Sequence, residues 1–541
     1  MHWADVIAKK VIAEQPSGNV VATGITPSGE IHVGNMREIL TGDIIRRALT
    51  DNGDNEAKLI YIGDTIDPLR KLYPFLDKSY EEHIGKPLSE IPCPCGSHQN
   101  YAEHFLEPFL ATLDQLGAVR ETVLTHELYR DGKYAEGTKK VLENIDMVKK
   151  VLGDISGREL PDGWVPYTPK CGACGKLKAE ATGYEHPFVS YSCPLCGHQG
   201  KADIRKDDGK LPWRVDWPTR WWFLGVTVEP FGKDHGAAGG SYDTGAKLIQ
   251  ELFGRDPPPR HVYEWIQLKG QGAMSSSKGI VVTGKEMLQI TPPEVLRHLI
   301  ASTNIVKHID FDPGLGILNM VDDFDKLEAA YFASELGLDE GRTYEFSSPH
   351  IIPHDMTHLS LEDIKTEGMA QEKTTLPEEA KKSGPLSLNV PYRHLVTIYQ
   401  VGHDVERALQ VLHRVTGKEK FTPDEEEHLR HRLACVAHWL LRFAPDMLKF
   451  SLAAEAPQMD IDDEQKAYLV ALLEKLKEVN WKGEEVNDAI YNTAKEIYKP
   501  KKAFQLLYMA FLGQKKGPRL GHFLGSLERD FVLERINHYI V

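Results

Sequence analysis

The first 64 residues alternate short apolar runs with one long amphipathic stretch. Asn19-Val-Val-Ala-Thr-Gly24 predicts a strand. Val33, Met36, Leu40, Ile44 and Ala48 recur at helical spacing and predict a helix beginning near His32, and Lys58-Leu-Ile-Tyr-Ile-Gly63 predicts a buried strand ending at Asp64. Strand, loop, helix, strand opens a doubly wound α/β fold, in which ligands sit beyond the carboxyl ends of the strands. Thr26 and Ser28, in the first loop, and Asp64 and Asp67, after the second strand, fall at such ends.

From about Pro68 to Lys210 the pattern changes and cysteines cluster. A β-like pattern resumes around Trp213, followed by Gly232-Lys-Asp-His235 and a strand over 261–266. The simplest organisation is one Rossmann-type domain, residues 1–67 and 211–280, interrupted by an insertion over 68–210. After Gly279 the chain reads as mostly helical. Thr291-Pro-Pro-Glu294 is a capping box opening a helix through Ile300, within a connecting segment 281–345. Residues 346–388 are polar and proline-rich and read as a linker or exposed insertion. Amphipathic helices fill 389–541. Thr422-Pro-Asp-Glu425 caps one with Leu429, Leu433, Val436 and Leu440 on its apolar face; another carries Leu469, Leu472, Leu473 and Leu476, and a third Val486, Ile490 and Ile497. An all-α C-terminal domain is expected.

A chain of 541 residues is too long for one core, and 26% charged with 41% hydrophobic residues is the balance of a soluble multidomain protein. No apolar run approaches the roughly 20 residues that span a bilayer, and Met-His-Trp-Ala-Asp at the start is no signal peptide, so a cytoplasmic protein without a membrane partner is expected. The net charge of −15 argues against indiscriminate nucleic-acid binding, while leaving room for an RNA that meets a local basic face. One such tract is Lys499, Lys501, Lys502, Lys515, Lys516 and Arg519, with Phe504, Tyr508 and Phe523 nearby.

Six of the seven cysteines are clustered, which in a cytosolic chain points to metal rather than disulfides. Cys171-x2-Cys174-x18-Cys193-x2-Cys196, with Gly175 and Gly197 after the knuckles, suits a closed tetrahedral zinc site of structural type. Cys93, Cys95, His98 and His104 are candidates for a second site of less regular spacing. Cys435, alone at an apolar helical phase, is expected in a core.

Two stretches carry the chemistry. In Thr26-Pro-Ser-Gly-Glu-Ile-His-Val-Gly-Asn35 an imidazole and a glycine precede a helix start, whose positive end favours an ATP phosphate. In Ala273-Met-Ser-Ser-Ser-Lys-Gly279 a polar loop offers hydroxyls, amides and an ammonium to the other side of a triphosphate. Together they resemble the HIGH and KMSKS signatures of class I aminoacyl-tRNA synthetases, with Asn35 in place of the second histidine and Ala273 and Ser276 in place of lysines. With Asp67-Pro-Leu-Arg70, Val215-Asp-Trp-Pro-Thr-Arg220, Gly232-Lys-Asp-His235, Arg393-His-Leu and Gly517-Pro-Arg-Leu520, the chain resembles the archaeal-type class I lysyl-tRNA synthetases over nearly its whole length.

The resemblance implies a Rossmann catalytic domain, a zinc-bearing acceptor-binding insertion, a stem-contact segment and an α-helical-cage anticodon-binding domain. It implies ATP with Mg2+, L-lysine and tRNA(Lys) as substrates and Zn2+ as a structural ion; the sequence leaves the oligomeric state open, with a monomer as the expectation. His32 and Asn35 would contact the triphosphate, and Met274, Ser275, Ser276, Ser277 and Lys278 the pyrophosphate. Pro27, Ser28, Gly34, Gly232 and Asp234 would border the nucleotide. Gly24 and Thr26 would line the lysine pocket, with Trp217, His235 and Tyr263 as walls. The carboxylates available for lysine's ammonium groups are Glu30, Asp64, Asp67 and Asp216, of which Asp64 is the choice. The rivals are a glutamyl- or glutaminyl-type synthetase, which typically has arginine where Ala22 stands, a small HIGH-type nucleotidylyltransferase, and a synthetase-like RNA-binding protein.

Overall fold

In the computed structural model, residues 1–270, 272–273, 282–349 and 390–541 are described. They form two compact units, one of residues 1–287, 296–311 and 336–349, the other of 288–295, 312–335 and 390–541. The expected connecting segment 281–345 is therefore shared between the two units rather than standing alone. The expected linker begins late: Phe346 and Ser347 are buried in the last turn of helix Leu338–Ser347, and 350–388 lies outside the described residues.

The first unit is built on parallel strands β1 (Val20–Ile25), β2 (Lys58–Gly63) and β3 (Glu121–Leu124), in the order β1-β2-β3. Between them lie helix α1 (Val33–Asp51), whose N-cap is His32, and helix α2 (Tyr101–Gln115). β3 falls inside the expected insertion 68–210, so that span is not a single insertion. Its four residues are exposed or half-buried at the sheet edge, too short and too polar to announce a strand. The chain then forms a small layer of its own. β4 (Thr168–Pro169) pairs antiparallel with β8 (Gly209–Lys210), and β5 (Glu180–Glu185), β6 (Phe188–Ser192) and β7 (Gln199–Asp203) form an antiparallel sheet. These share a core with helix Ile145–Ser156, in which Cys171 and Cys193 are buried beside Tyr191 and Val189.

The expected strand near Trp213 is a helix, α3 (Trp213–Leu224). The alternation of Trp213, Val215 and Trp217 reads as a strand, but Val215/Thr219 and Trp217/Trp221 are also i,i+4 pairs, and Pro218 is accommodated in the helix. Trp217 and Trp221 fill the space between sheet and helix, against Ala22, Ile60 and Phe231. Full burial of side chains this large contributes at least about 1.5–3 kcal/mol each. β9 (Glu229–Gly232) and β10 (Arg260–Tyr263) are parallel to each other, and a parallel bridge between Val21 and Val228 joins them to β1. The resulting order β3-β2-β1-β9-β10 reverses direction between β1 and β9, the position where doubly wound sheets place their ligands. The single strand expected over 261–266 is broken at Glu264-Trp265. β11 (Ile266–Leu268) pairs instead with β12 (Gly272–Ala273) and β13 (Ile309–Phe311). Arg37 of α1, buried, donates to the carbonyls of Trp265, Asn304, Ile305 and Lys307.

The second unit is helical among its described residues. Thr422 and Glu425 form the expected capping box of helix Pro423–Arg442, and Leu429, Leu433, Cys435 and Val436 are buried on its inner face. Helices Asp463–Glu478, Gly483–Ile497 and Pro500–Leu512 bury Leu469, Leu472, Leu476, Val486 and Ile490 in one core. Ile497, expected on that face, is 41% exposed, because the buried stripe of its helix ends at Thr493 and Ala494.

Candidate active site

Beyond the carboxyl ends of β1 and β2 lies a cavity of about 700 Å³. Gly24, Ile25 and Thr26 form its floor, Asn35 and Glu38 of α1 one flank, Asp64 and Asp67 the other, and Lys210, Trp213 and His235 the far wall. The geometry explains the glycine at 24: a Cβ there would stand 3.2 Å from the Ile62 carbonyl oxygen and 3.7 Å from the Arg220 guanidinium. Asn35 accepts the His32 amide N–H with Oδ1, so its NH2 group is the part offered to a ligand. The His32 imidazole is pushed down to about 4 by burial and is neutral at the mouth of α1, with Nδ1 buried and without a partner among the described residues.

The acidic groups of the cavity differ in their partners. Asp64 faces Arg220 at 2.7 Å, and Asp216 faces the same guanidinium at 2.6 Å while accepting hydrogen bonds from Tyr129 and Tyr134 at 2.6 and 3.0 Å. Asp67 is paired with Lys210 and accepts from Thr26 Oγ1 at 3.0 Å; although burial opposes its ionisation, Lys210 and Thr26 outweigh it and hold the carboxyl below its usual range. Glu38 has no cation among the described residues. Its Oε1 accepts the Gly24 amide and its Oε2 the Tyr263 hydroxyl, both at 2.7 Å, and burial pushes its carboxyl up to about 7. An incoming ammonium would find Asp64 and Asp67 of the lining already engaged and Glu38 open.

The cavity brings together Gly24, Thr26, Asn35, Asp64 and His235 of the residues expected from sequence, and Asp67 of the alternatives. Asp64, the sequence choice for an ammonium, is engaged by Arg220, Asp216 lies beneath it in the core, and Glu30 is exposed outside the lining. Trp217 is not a wall either. It is buried beneath Trp213, whose ring stacks on it at 5.2 Å and itself faces the cavity. Tyr263 acts through its hydrogen bond to Glu38. Pro27, Ser28, Gly34, Gly232 and Asp234 lie on the loops and ends around β1, α1 and β9, outside the lining. Met274, Ser275, Ser276, Ser277 and Lys278 lie outside the described residues. Glu38, Lys210 and Trp213 are the residues the sequence reading missed. A signal for Glu38 was present, since Asn35 and Glu38 at i,i+3 share a helix face.

Two groups in this unit fit a metal ion, each with four ligand atoms within 4.8 Å of one another: Cys171, Cys174, Cys193 and Cys196, and Cys93, Cys95, His98 and His104. In the first, Cys171 and Cys196 sulfurs are 3.6 Å apart and Cys174 and Cys193 sulfurs 3.8 Å. Gly175 and Gly197 take the left-handed conformation that turns each knuckle. In the second, both sulfurs stand 3.2–3.5 Å from Nδ1 of both histidines, and Glu107 lies 3.0 Å from His98 Nε2, where it orients the ring.

Residues 1–350 match a family profile described as tRNA synthetases class I (K). The chain belongs to that family. Residues 435–540 match an anticodon binding domain profile. Among curated relatives of the family, the chain is 41% identical over 563 residues to a lysine–tRNA ligase of Methanosarcina barkeri, covering 99% of this chain and 97% of that one. It is 39% identical over 544 residues to one of Thermoplasma acidophilum, covering 100% and 99%. A solved glutamate tRNA ligase from Elizabethkingia meningosepticum aligns over 97% of this chain with a TM-score of 0.40 and 13% identity. No helix of the described residues is long and apolar enough to cross a membrane.

Proposed function

We propose that the protein is a lysine–tRNA ligase, which activates L-lysine with MgATP and transfers it to the 2′-hydroxyl of the terminal adenosine of tRNA(Lys). The observation that carries the substrate choice is Glu38, a carboxylate facing the cavity that has no cation among the described residues. A lysine ammonium would complete it, as a charge-assisted hydrogen bond in a dry site. Trp213 and His235 would flank the methylene stem, and Gly24 and Thr26 would meet the α-amino and carboxyl end.

In the first step the lysine carboxylate oxygen attacks the α-phosphorus of ATP and pyrophosphate leaves. In the second the ribose hydroxyl attacks the mixed anhydride and AMP leaves. No protein nucleophile is needed, so catalysis is positioning plus stabilisation of charge developing on the phosphates. His32, neutral and with Nδ1 lacking a partner among the described residues, and the Asn35 NH2 would donate to the triphosphate at the positive end of α1. Pro27, Ser28, Gly34, Gly232 and Asp234 would border the nucleotide, and Met274–Lys278 would hold the pyrophosphate.

The four-cysteine group would hold zinc. Four sulfurs about 2.3 Å from a tetrahedral zinc lie roughly 3.8 Å apart, close to the spacings found. The Cys93, Cys95, His98, His104 group would hold a second ion. The 68–210 region would take the acceptor end, helices of 389–541 the anticodon, and the protein would work as a cytoplasmic monomer. Of the aromatic-basic tract assigned to the anticodon, Phe523 is fully buried, so Phe504 and Tyr508, half-buried, are the rings available for stacking.

The test is amino-acid-dependent exchange of pyrophosphate into ATP. Exchange stimulated by lysine is expected. Stimulation by glutamate or glutamine instead, or by no amino acid, would favour the glutamyl-type or the RNA-binding alternative.

A further inference from the structure

A second cavity, of about 320 Å³, lies on the other side of Trp213 and shares Pro212 and Trp213 with the larger one. Its remaining wall combines Trp164, Arg158, Arg214, two leucines and Ser241. The charged groups lining it are both cations, in a chain whose net charge is −15. Arg214 is held in place: its Nη1 donates to the carbonyls of Gly239 and Gly240 and to Thr244 Oγ1. Arg158 is exposed and has no ion pair among the described residues, and its charge adds to burial in lowering the proton affinity of Arg214. The Trp213 indole N–H is buried without an acceptor among the described residues. Ser241 opens a helix of 13 residues, Ser241–Phe253, so its positive end also faces this space.

Aromatic faces, two guanidinium groups and a buried donor together suit a nucleotide: rings stack on the base and cations meet the phosphate. We propose that this cavity receives the base and phosphate of the 3′-terminal nucleotide of the RNA acceptor, leaving its ribose hydroxyl at the Trp213 wall, beside the activated amino acid. The inference rests on the ligase reading and assigns the second substrate a site distinct from the amino-acid cavity. Trp164 and Arg158 contribute binding of the RNA end and take no part in adenylate formation.

Arg158→Ala, at an exposed position, and Trp164→Ala, at a half-buried ring that packs beside the core of this region, test this, with an unchanged denaturant midpoint checking that each variant is folded. Lysine-dependent ATP–pyrophosphate exchange, including KM for ATP, should stay within about twofold of wild type. Single-turnover transfer from preformed lysyl-adenylate to tRNA should fall roughly 10-fold or more for Trp164→Ala, the range of one lost base stack. Trp164→Phe should restore most of it. A minihelix ending in CCA should bind wild type more tightly than one lacking the terminal adenosine, and Trp164→Ala should abolish that difference. Unchanged transfer, or a raised KM for ATP with unchanged transfer, would overturn the proposal, the latter by giving the cavity to ATP. Absence of lysine-dependent exchange in the wild-type protein would instead count against the ligase reading itself.

Discussion

The two flanks of the large cavity hold the same kind of group in opposite electrostatic situations. On one flank Asp64 and Asp67, with Asp216 in the core beneath them, are matched by Arg220 and Lys210, so their charge is consumed within the protein. On the other, Glu38 has only a backbone amide and a phenol among the described residues, and its carboxyl is pushed up to about 7. The first arrangement holds the sheet end, the α3 helix and the β8 strand together. The second leaves one charge to be matched from outside. A buried carboxylate without a cation is costly to the free protein, and that cost becomes affinity when a cationic ligand arrives.

The largest effect should come from breaking the matched flank. Arg220→Met leaves Asp64 and Asp216 buried without their shared ion-pair partner, and stability at neutral pH should fall by about 3–5 kcal/mol, read from the denaturant midpoint. Burial already raises the Asp64 carboxyl against the opposing pull of Arg220, and without Arg220 it would rise further. The deficit should therefore be full at neutral pH and shrink as pH falls through that raised value and the acid takes up its proton. A deficit that stays constant down to pH 4 would contradict the assignment of Arg220 as their shared counterion.

Breaking the open flank should act on substrate rather than on stability. Glu38→Gln keeps acceptor and shape but removes the charge. KM for lysine in the exchange reaction should rise about 100-fold, near 3 kcal/mol for a desolvated charge pair, with the melting temperature unchanged or raised. An increase of less than fivefold would remove Glu38 from the account. Asp64→Asn should show the smallest effect, below about threefold in lysine KM, because the Asp64 charge is already matched by Arg220, which keeps Asp216 as its partner in the variant. A larger effect at Asp64 than at Glu38 would reverse the comparison and restore the choice made from sequence.

That choice shows where sequence reading stops. Local signals were legible: apolar runs for β1 and β2, helical spacing for α1, capping at Thr422, and cysteine spacing that the structure gathers into two four-ligand groups. What escaped depends on distant partners. Asp64 stands at a strand end, where ligands sit, and nothing nearby reveals that Arg220, 156 residues away, reaches it. Glu38 reads as an ordinary helix residue until Gly24 and Tyr263 are seen to hold it. The α3 helix was read as a strand because its tryptophans fit both periods, and β3 was too short to be read at all.

The central claim is that an unmatched Glu38 receives the lysine ammonium, and proton linkage tests it most directly. With its carboxyl near 7, a substantial fraction of Glu38 is protonated at neutral pH, and lysine binding must expel that proton. Lysine affinity should therefore rise with pH through about 7 and then level off. Calorimetric titration with lysine at pH 7, in two buffers of different ionisation enthalpy, should show release of roughly half a proton per site by wild type and almost none by Glu38→Gln. Equal release by both proteins, or none by wild type across pH 6 to 8, would contradict the account.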